Sequence, residues 1–138
     1  MVAFWSEYEE KNIEERLYEE LNPQKHAEIG IIIKENTLSS KLRYMIGVIA
    51  INKHTSLPLV SYKIAGGKYA IITTPPVDMT ENEDSFANII KKIWKYIFIQ
   101  WFSEIDYEYD ETRNDFEYYD ERCHYSKDAV MDIYIPIK

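Results

Sequence analysis

The spacing of apolar residues predicts two helices in this chain. Residues 4–21 are rich in glutamate, contain no glycine or proline and end at Asn22-Pro23, which indicates a first helix. The second helix is predicted at about residues 82–103, because apolar side chains recur there at helical spacing. The members of this stripe are Phe86, Ile90, Ile93, Trp94, Ile97 and Trp101.

Short β-branched or alternating runs predict strands between and after the helices. They lie at about residues 28–34, 42–51, 59–64, 69–74, 116–120 and 129–137, and residues 107–110 read as a strand or an extended arm. In the last strand Met131, Ile133, Ile135 and Ile137 share one face. A helix followed by two strands thus occurs twice, which predicts one α+β domain over residues 1–138, with both helices on one side of a largely antiparallel sheet.

Composition and charge exclude several classes of function. The chain has 138 residues, a net charge of -8 and scattered basic residues, so it should repel the phosphates of nucleic acids, and we expect no direct nucleic-acid binding. Cys123 is the only cysteine, which precludes an internal disulfide. No signal peptide and no apolar run of bilayer length is visible. These features predict a cytoplasmic protein with no membrane contact.

No motif indicates a cofactor, a metal or a nucleophile. Gly66-Gly67 precedes a predicted strand and not a helix, so it cannot form a phosphate-binding loop. His26, His54 and His124 lie in unrelated loops without metal-ligand spacing. We therefore expect neither a cofactor nor a metal site.

The abundance of aromatic residues is the unusual feature of the composition. Twelve tyrosines and three tryptophans carry polar edges that need partners when buried, whereas a core built for stability alone would favour Leu, Ile and Val. A cleft lined by such rings suits flat or cationic organic ligands, although each ring can equally serve as core packing. The candidate pocket residues are Trp5, Tyr62, Tyr69, Trp94, Trp101, Phe116, Tyr118 and Tyr134.

Glu117 is the candidate charged group of this pocket. It stands between Phe116 and Tyr118 in a predicted strand, so the two rings project to one face and the carboxylate to the other. The pattern alone leaves open whether the carboxylate faces water or the interior. An inward carboxylate would require a cation, which a ligand could supply.

Three segments of the sequence resemble a known family. They are Tyr62–Ile72 (YKIAGGKYAII), Asp115–Asp120 (DFEYYD) and Met131–Lys138 (MDIYIPIK). These segments are similar, in order, to motifs of the GyrI-like effector-binding domain, which is found on AraC- and MerR-type regulators and as stand-alone proteins. Trp5 and Trp101 resemble tryptophans of its two helices. The branch that the chain most resembles is the stand-alone, integron-cassette type.

This resemblance implies two βαββ-type halves, related by a pseudo-twofold axis, with a ligand pocket between them. It also implies that Glu117 lies at the pocket base facing lipophilic cations and that Tyr69 forms a wall. The family opens with a strand before the first helix, whereas this sequence begins at the helix. We therefore expect the first strand to be missing, through truncation or a late start, or its edge to be covered by a homodimer partner.

The leading hypothesis is a binding module for an amphipathic, lipophilic cationic drug or effector. With no DNA-binding segment of its own, such a module would act as a sensor or regulator through a partner protein. One alternative is a hydrolase of electrophilic small molecules, with Glu117 as base and Tyr69 or Tyr118 as proton donor. Another is an inhibitor that binds a gyrase-like protein through its acidic surface.

Overall fold

The strands of the chain form an antiparallel sheet. A computed structural model describes residues 13–21, 27–34, 42–49, 60, 62–80 and 85–138. Its strands are β1 (Glu28–Lys34), β2 (Leu42–Val48), β3 (Tyr69–Thr73), β4 (Phe116–Tyr119) and β5 (Asp132–Pro136). They lie in the order β2-β1-β4-β5-β3, and every neighbouring pair is antiparallel. The predicted α+β class is confirmed.

Helices cover one face of this sheet. They are α1 (Ile13–Leu21) and α2 (Ser85–Tyr96), and α2 continues as a π-helix (Ile97–Trp101) and a single turn, α3 (Phe102–Glu104). Tyr18 of α1 reaches the carboxylate of Glu28, and Trp94 of α2 reaches that of Glu117. Gly30 pairs with Glu117 and lies two residues from Glu28, so both carboxylates point to the same face. None of the described helices is long and apolar enough to cross a membrane.

Apolar side chains pack on both faces of the sheet. The predicted alternation at the C-terminus is present, because Met131, Ile133, Ile135 and Ile137 are all buried. The cluster beneath α2 contains Val77, Phe86, Ile97, Ala129, Met131, Ile133 and Ile135. The opposite face carries Ile29, Ile31, Ile33 and Phe116, with Ile64 and Met45 packed against them. Four of the seven β1 residues are isoleucine, and three of them, Ile29, Ile31 and Ile33, belong to the layer opposite the helices.

The two halves of the chain connect their helices and strands in a similar order. β1 and β4 each follow a helix and lie side by side within the sheet. The next strand of each half pairs with the outer edge of this central pair, β2 with β1 and β5 with β4. β3 completes the second half by pairing with β5. Among the described residues no strand pairs with the outer edge of β2. The predicted helical start at residues 4–12, which includes Trp5, lies outside the described part of the chain.

Several predicted boundaries differ from the observed ones. Residues 62–64 belong to no strand, and residues 107–110 form an extended arm with a single bridge from Tyr109 to Ile137. The π-helix replaces the regular end predicted for the second helix, and it rotates the residues that follow Ile97 relative to the predicted stripe. A 3-10 helix at Glu121–His124, which the pattern does not predict, links β4 to β5.

A turn after the extended arm gives a pH prediction. Asp110 accepts hydrogen bonds from the Thr112 hydroxyl (2.6 Å), the Thr112 backbone N–H (3.0 Å) and Arg113 Nε (2.9 Å). The Thr112 hydroxyl and then the Arg113 guanidinium lower the pKa of Asp110 from 3.8 to about 2. Because the folded-state pKa is depressed, the stabilisation is present above about pH 4 and is lost as the pH falls towards 2.

We expect the difference in unfolding free energy between the wild type and Asp110→Asn to shrink as the pH falls from about 4 towards 2. Urea unfolding at pH 6, 4 and 2 measures this difference. The control is Glu111→Gln, which removes the exposed carboxylate next to Asp110. A difference that stays constant down to pH 2 would contradict the assignment.

Candidate ligand-binding site

Glu117 is buried beneath the helices. It lies in β4 directly opposite Gly30 of β1, at the centre of the sheet, and only 1% of it is exposed. Phe116 and Tyr118 point to the other face, as strand alternation requires. The sequence pattern left two orientations open for the carboxylate, and the structure has the inward one.

Three neutral groups donate hydrogen bonds to the Glu117 carboxylate. The hydroxyls of Tyr44 (2.5 Å) and Tyr119 (3.0 Å) donate to Oε1, and the indole Nε1 of Trp94 (2.8 Å) donates to Oε2. An ionised carboxylate acts only as an acceptor, and three donors directed at it suit that form. No Lys, Arg or His of the described residues forms an ion pair with it. The site therefore holds a buried negative charge among neutral partners.

Burial and the nearby charge of Glu117 keep Tyr119 in its neutral form. Burial is the larger cause and the Glu117 charge the next, and together they raise the pKa of Tyr119 far above its ordinary value of 10. Tyr119 therefore remains a neutral O–H donor throughout the physiological pH range.

Gly30 makes room for the Tyr44 hydroxyl. A Cβ at Gly30 would lie 2.7 Å from Tyr44 Cζ and closer still to the hydroxyl oxygen, and 3.0 Å from Glu117 Oε1. Tyr44 comes from β2, two strands away from β4, and crosses above β1 at this position. Only a residue without a side chain allows that crossing.

Aromatic rings extend from Trp94 towards the surface. Phe98 stacks nearly parallel on Trp94 with ring centroids 6.0 Å apart, and 47% of Phe98 is exposed. Tyr109 and Phe102 also contact Phe98. Trp101 lies further along on the same side of the sheet, where its ring meets Phe102. These rings form a path of π faces that ends at the carboxylate.

The sheet separates the predicted pocket residues into two groups. Glu117, Trp94 and Trp101 lie on the helix side, while the rings on the opposite face are Tyr69, Phe116, Tyr118 and Tyr134. Phe116 stacks on Tyr134 at 4.6 Å, and the Arg113 guanidinium covers the Tyr69 ring at 4.7 Å. Tyr62 is exposed and accepts a hydrogen bond from Asn114. Four of the predicted rings are therefore not next to the carboxylate.

Sequence reasoning missed Gly30, Tyr44, Tyr119 and Phe98. Tyr119 could have been found, since it lies two residues from Glu117 in the same strand and must share its face. Phe98 follows Trp94 by four residues on a helix and could also have been inferred. Tyr44 and Gly30 depend on strand order and register, for which the sequence carries no local signal. Among the described residues, no three His, Cys, Asp or Glu side chains cluster as metal ligands.

Comparison with known proteins places this geometry in a family. No curated protein matches the chain. The fold is similar to that of SAV2435, solved bound to tetraphenylphosphonium, with a TM-score of 0.67 and 19% identity over 99% of this chain and 76% of that one. It is also similar to a protein from Staphylococcus aureus MU50 assigned to bacterial transcription regulation, with a TM-score of 0.65 and 20% identity over 100% and 80% of the two chains.

The sequence itself matches the family described as integron-associated effector binding protein (Cass2) over residues 2–137. The match confirms the integron-associated branch that the three motifs suggested. This chain belongs to the family of integron-associated effector binding proteins.

Proposed function

We propose that the chain binds lipophilic organic cations and that Glu117 is their buried counter-charge. The observation that carries this proposal is a carboxylate that is 1% exposed and that, within the described part of the chain, is contacted by neutral donors. Three hydrogen bonds stabilise the negative charge but do not neutralise it. A ligand cation would supply the missing positive charge.

The energetics favour a cation over a neutral ligand of the same shape. Two unit charges about 4 Å apart attract by roughly 4 kcal/mol at the effective dielectric constant of a protein interior, before the desolvation of the ligand is subtracted. A large organic cation with diffuse charge is weakly hydrated, so it loses less on leaving water than a small ammonium ion. A net gain of about 1.4–3 kcal/mol corresponds to roughly 10- to 100-fold in affinity.

The aromatic path next to the carboxylate suits the same class of ligand. Trp94 and Phe98 present π faces, and a cation over such a face gains about 0.5–2 kcal/mol. Phe98 is partly exposed at the outer end of the stack. The rings would contact the apolar body of the ligand while Glu117 balances its charge. That SAV2435, which shares the fold, was solved with tetraphenylphosphonium agrees with this class.

A pair of ions of equal shape and opposite charge tests the proposal. We expect tetraphenylphosphonium to bind with micromolar affinity and tetraphenylborate to bind at least 10-fold more weakly, measured by calorimetry and by Trp fluorescence. In Glu117→Gln the affinity for tetraphenylphosphonium should fall about 10-fold or more, because the amide keeps the shape and loses the charge. Glu108→Gln, which removes an exposed carboxylate paired with Lys138, is the matched control and should bind as the wild type does. Equal binding of the two ions, or equal binding by Glu117→Gln and the wild type, would overturn the proposal.

A further inference from the structure

The Trp94 indole is fixed at its edge by Glu117. Its Nε1 donates a hydrogen bond of 2.8 Å to Oε2 of the carboxylate, and the ring packs against the apolar cluster beneath α2. A hydrogen bond to a carboxylate polarises its donor, which makes the π faces of this indole more attractive to a cation. A cation over such a face would also lie one ring away from the Glu117 charge, where the two charges still attract. The face of Trp94 therefore attracts cations without direct access to the buried carboxylate.

Phe98 covers part of this face. Its ring is parallel to the indole to within 3°, with ring centroids 6.0 Å apart, which is the geometry of an offset stack. A flat apolar ring thus already fits at this place. A phenyl ring of a ligand could make the same contact with the indole.

Phe98 is held less firmly than the rings around it. It is 47% exposed, whereas Trp94, Phe102 and Tyr109 are half-buried and pack against the cluster beneath α2, to which Phe98 does not belong. Phe98 lies in the π-helix Ile97–Trp101, an irregular turn of a kind that is frequent at functional sites. Exposed side chains change rotamer within nanoseconds. Phe98 can therefore leave the indole without opening a hole in the core.

We propose that the ring of a cationic ligand binds on the face of Trp94 in the place of the Phe98 ring, which turns away towards solvent. Because only 1% of Glu117 is exposed, a ligand has to displace a side chain to approach it, and Phe98 is the side chain that yields. The inference rests on the proposed function and deepens it. Glu117 supplies the counter-charge, and the exchange of rings specifies where the aromatic part of the ligand binds and which residue controls its access.

The association rate of tetraphenylphosphonium tests this exchange of rings. Stopped-flow Trp fluorescence measures it in the wild type, in Phe98→Ala and in Phe98→Trp. No ring has to leave in Phe98→Ala, so we expect association about 10-fold faster than in the wild type, which corresponds to about 1.4 kcal/mol. The larger ring of Phe98→Trp stacks over more of the indole, so we expect association severalfold slower.

Ile99→Ala is the matched control, since Ile99 follows Phe98 in the same π-helix and is 77% exposed. Its association rate should lie within about twofold of the wild-type rate, and urea unfolding should find all three variants folded, because they change exposed side chains. Any order of rates other than Phe98→Ala, wild type, Phe98→Trp, or an acceleration that Ile99→Ala shares, overturns the inference. A Glu117-dependent affinity for tetraphenylphosphonium then leaves the proposed function standing. If tetraphenylphosphonium itself is not bound, both are overturned.

Discussion

Gly30→Ala is expected to destabilise the protein by about 2–3 kcal/mol and to remove the Tyr44 hydroxyl from Glu117. The added methyl would overlap the Tyr44 ring at the position where it crosses β1, so Tyr44 must move. Its hydrogen bond to a buried carboxylate is then lost, which costs about 1.5–3 kcal/mol, and crowding adds to that. The smaller conformational freedom of alanine in the unfolded chain offsets about 0.4–1 kcal/mol.

Gly47→Ala is the matched control for this substitution. Gly47 lies in β2 of the same hairpin, and a Cβ there meets nothing within 4 Å. Its free energy of unfolding, measured with urea, should lie within about 0.5 kcal/mol of the wild type. Tyr44→Phe adds a second check. It should cost clearly less in the Gly30→Ala background than in the wild type, because the hydroxyl bond is already absent there. Additive losses would mean that Gly30 and Tyr44 are independent.

Much of the fold could be predicted because its elements have local causes. The stripe through Phe86, Ile97 and Trp101 predicts a helix with one buried face, and the alternation from Met131 to Ile137 predicts a strand against it. The ends of the strands are less predictable, since they depend on where the neighbouring strand begins and ends. β2 ends at Val48, opposite Glu28, where β1 begins, although apolar residues continue to Ile51. Residues 107–110 likewise have the pattern of a strand, but their backbone makes a single bridge, from Tyr109 to Ile137, and hydrogen bonds with Pro136 and Lys138.

For the site, the sequence predicts the types of residue, a glutamate with aromatic rings, but not their arrangement in space. Strand alternation shows that Glu117 is opposite Phe116 and Tyr118, but it does not show which face the helices cover. Both faces of this sheet carry aromatic rings, so aromatic content does not identify the face on which Glu117 lies. Tyr69 and Tyr134 lie across the sheet from its carboxylate. Tyr44 is 73 residues from Glu117 in sequence, and only the register of three strands brings them together.

Glu117→Leu is expected to destabilise the protein by about 3–4 kcal/mol, the largest effect among these variants. The substitution removes a buried charge, which by itself relieves a desolvation cost. It also leaves three donors that point at an apolar side chain, and hydrogen bonds to a charged group contribute about 1.5–3 kcal/mol each. The Trp94 N–H cannot rotate towards another partner, whereas the two hydroxyls can. Urea unfolding of the variant against the wild type measures the difference.

The lost stability should return when the three donors that no longer have an acceptor are removed as well. In a variant that combines Glu117→Leu with Tyr44→Phe, Trp94→Phe and Tyr119→Phe, no polar group of the network remains, and we expect most of the lost stability to return. The same variant should bind tetraphenylphosphonium no better than tetraphenylborate. A stable fold without the carboxylate would show that packing at the centre of the sheet does not require the charge of Glu117. If the combined variant is as unstable as Glu117→Leu alone, the loss arises from shape and not from unpaired donors.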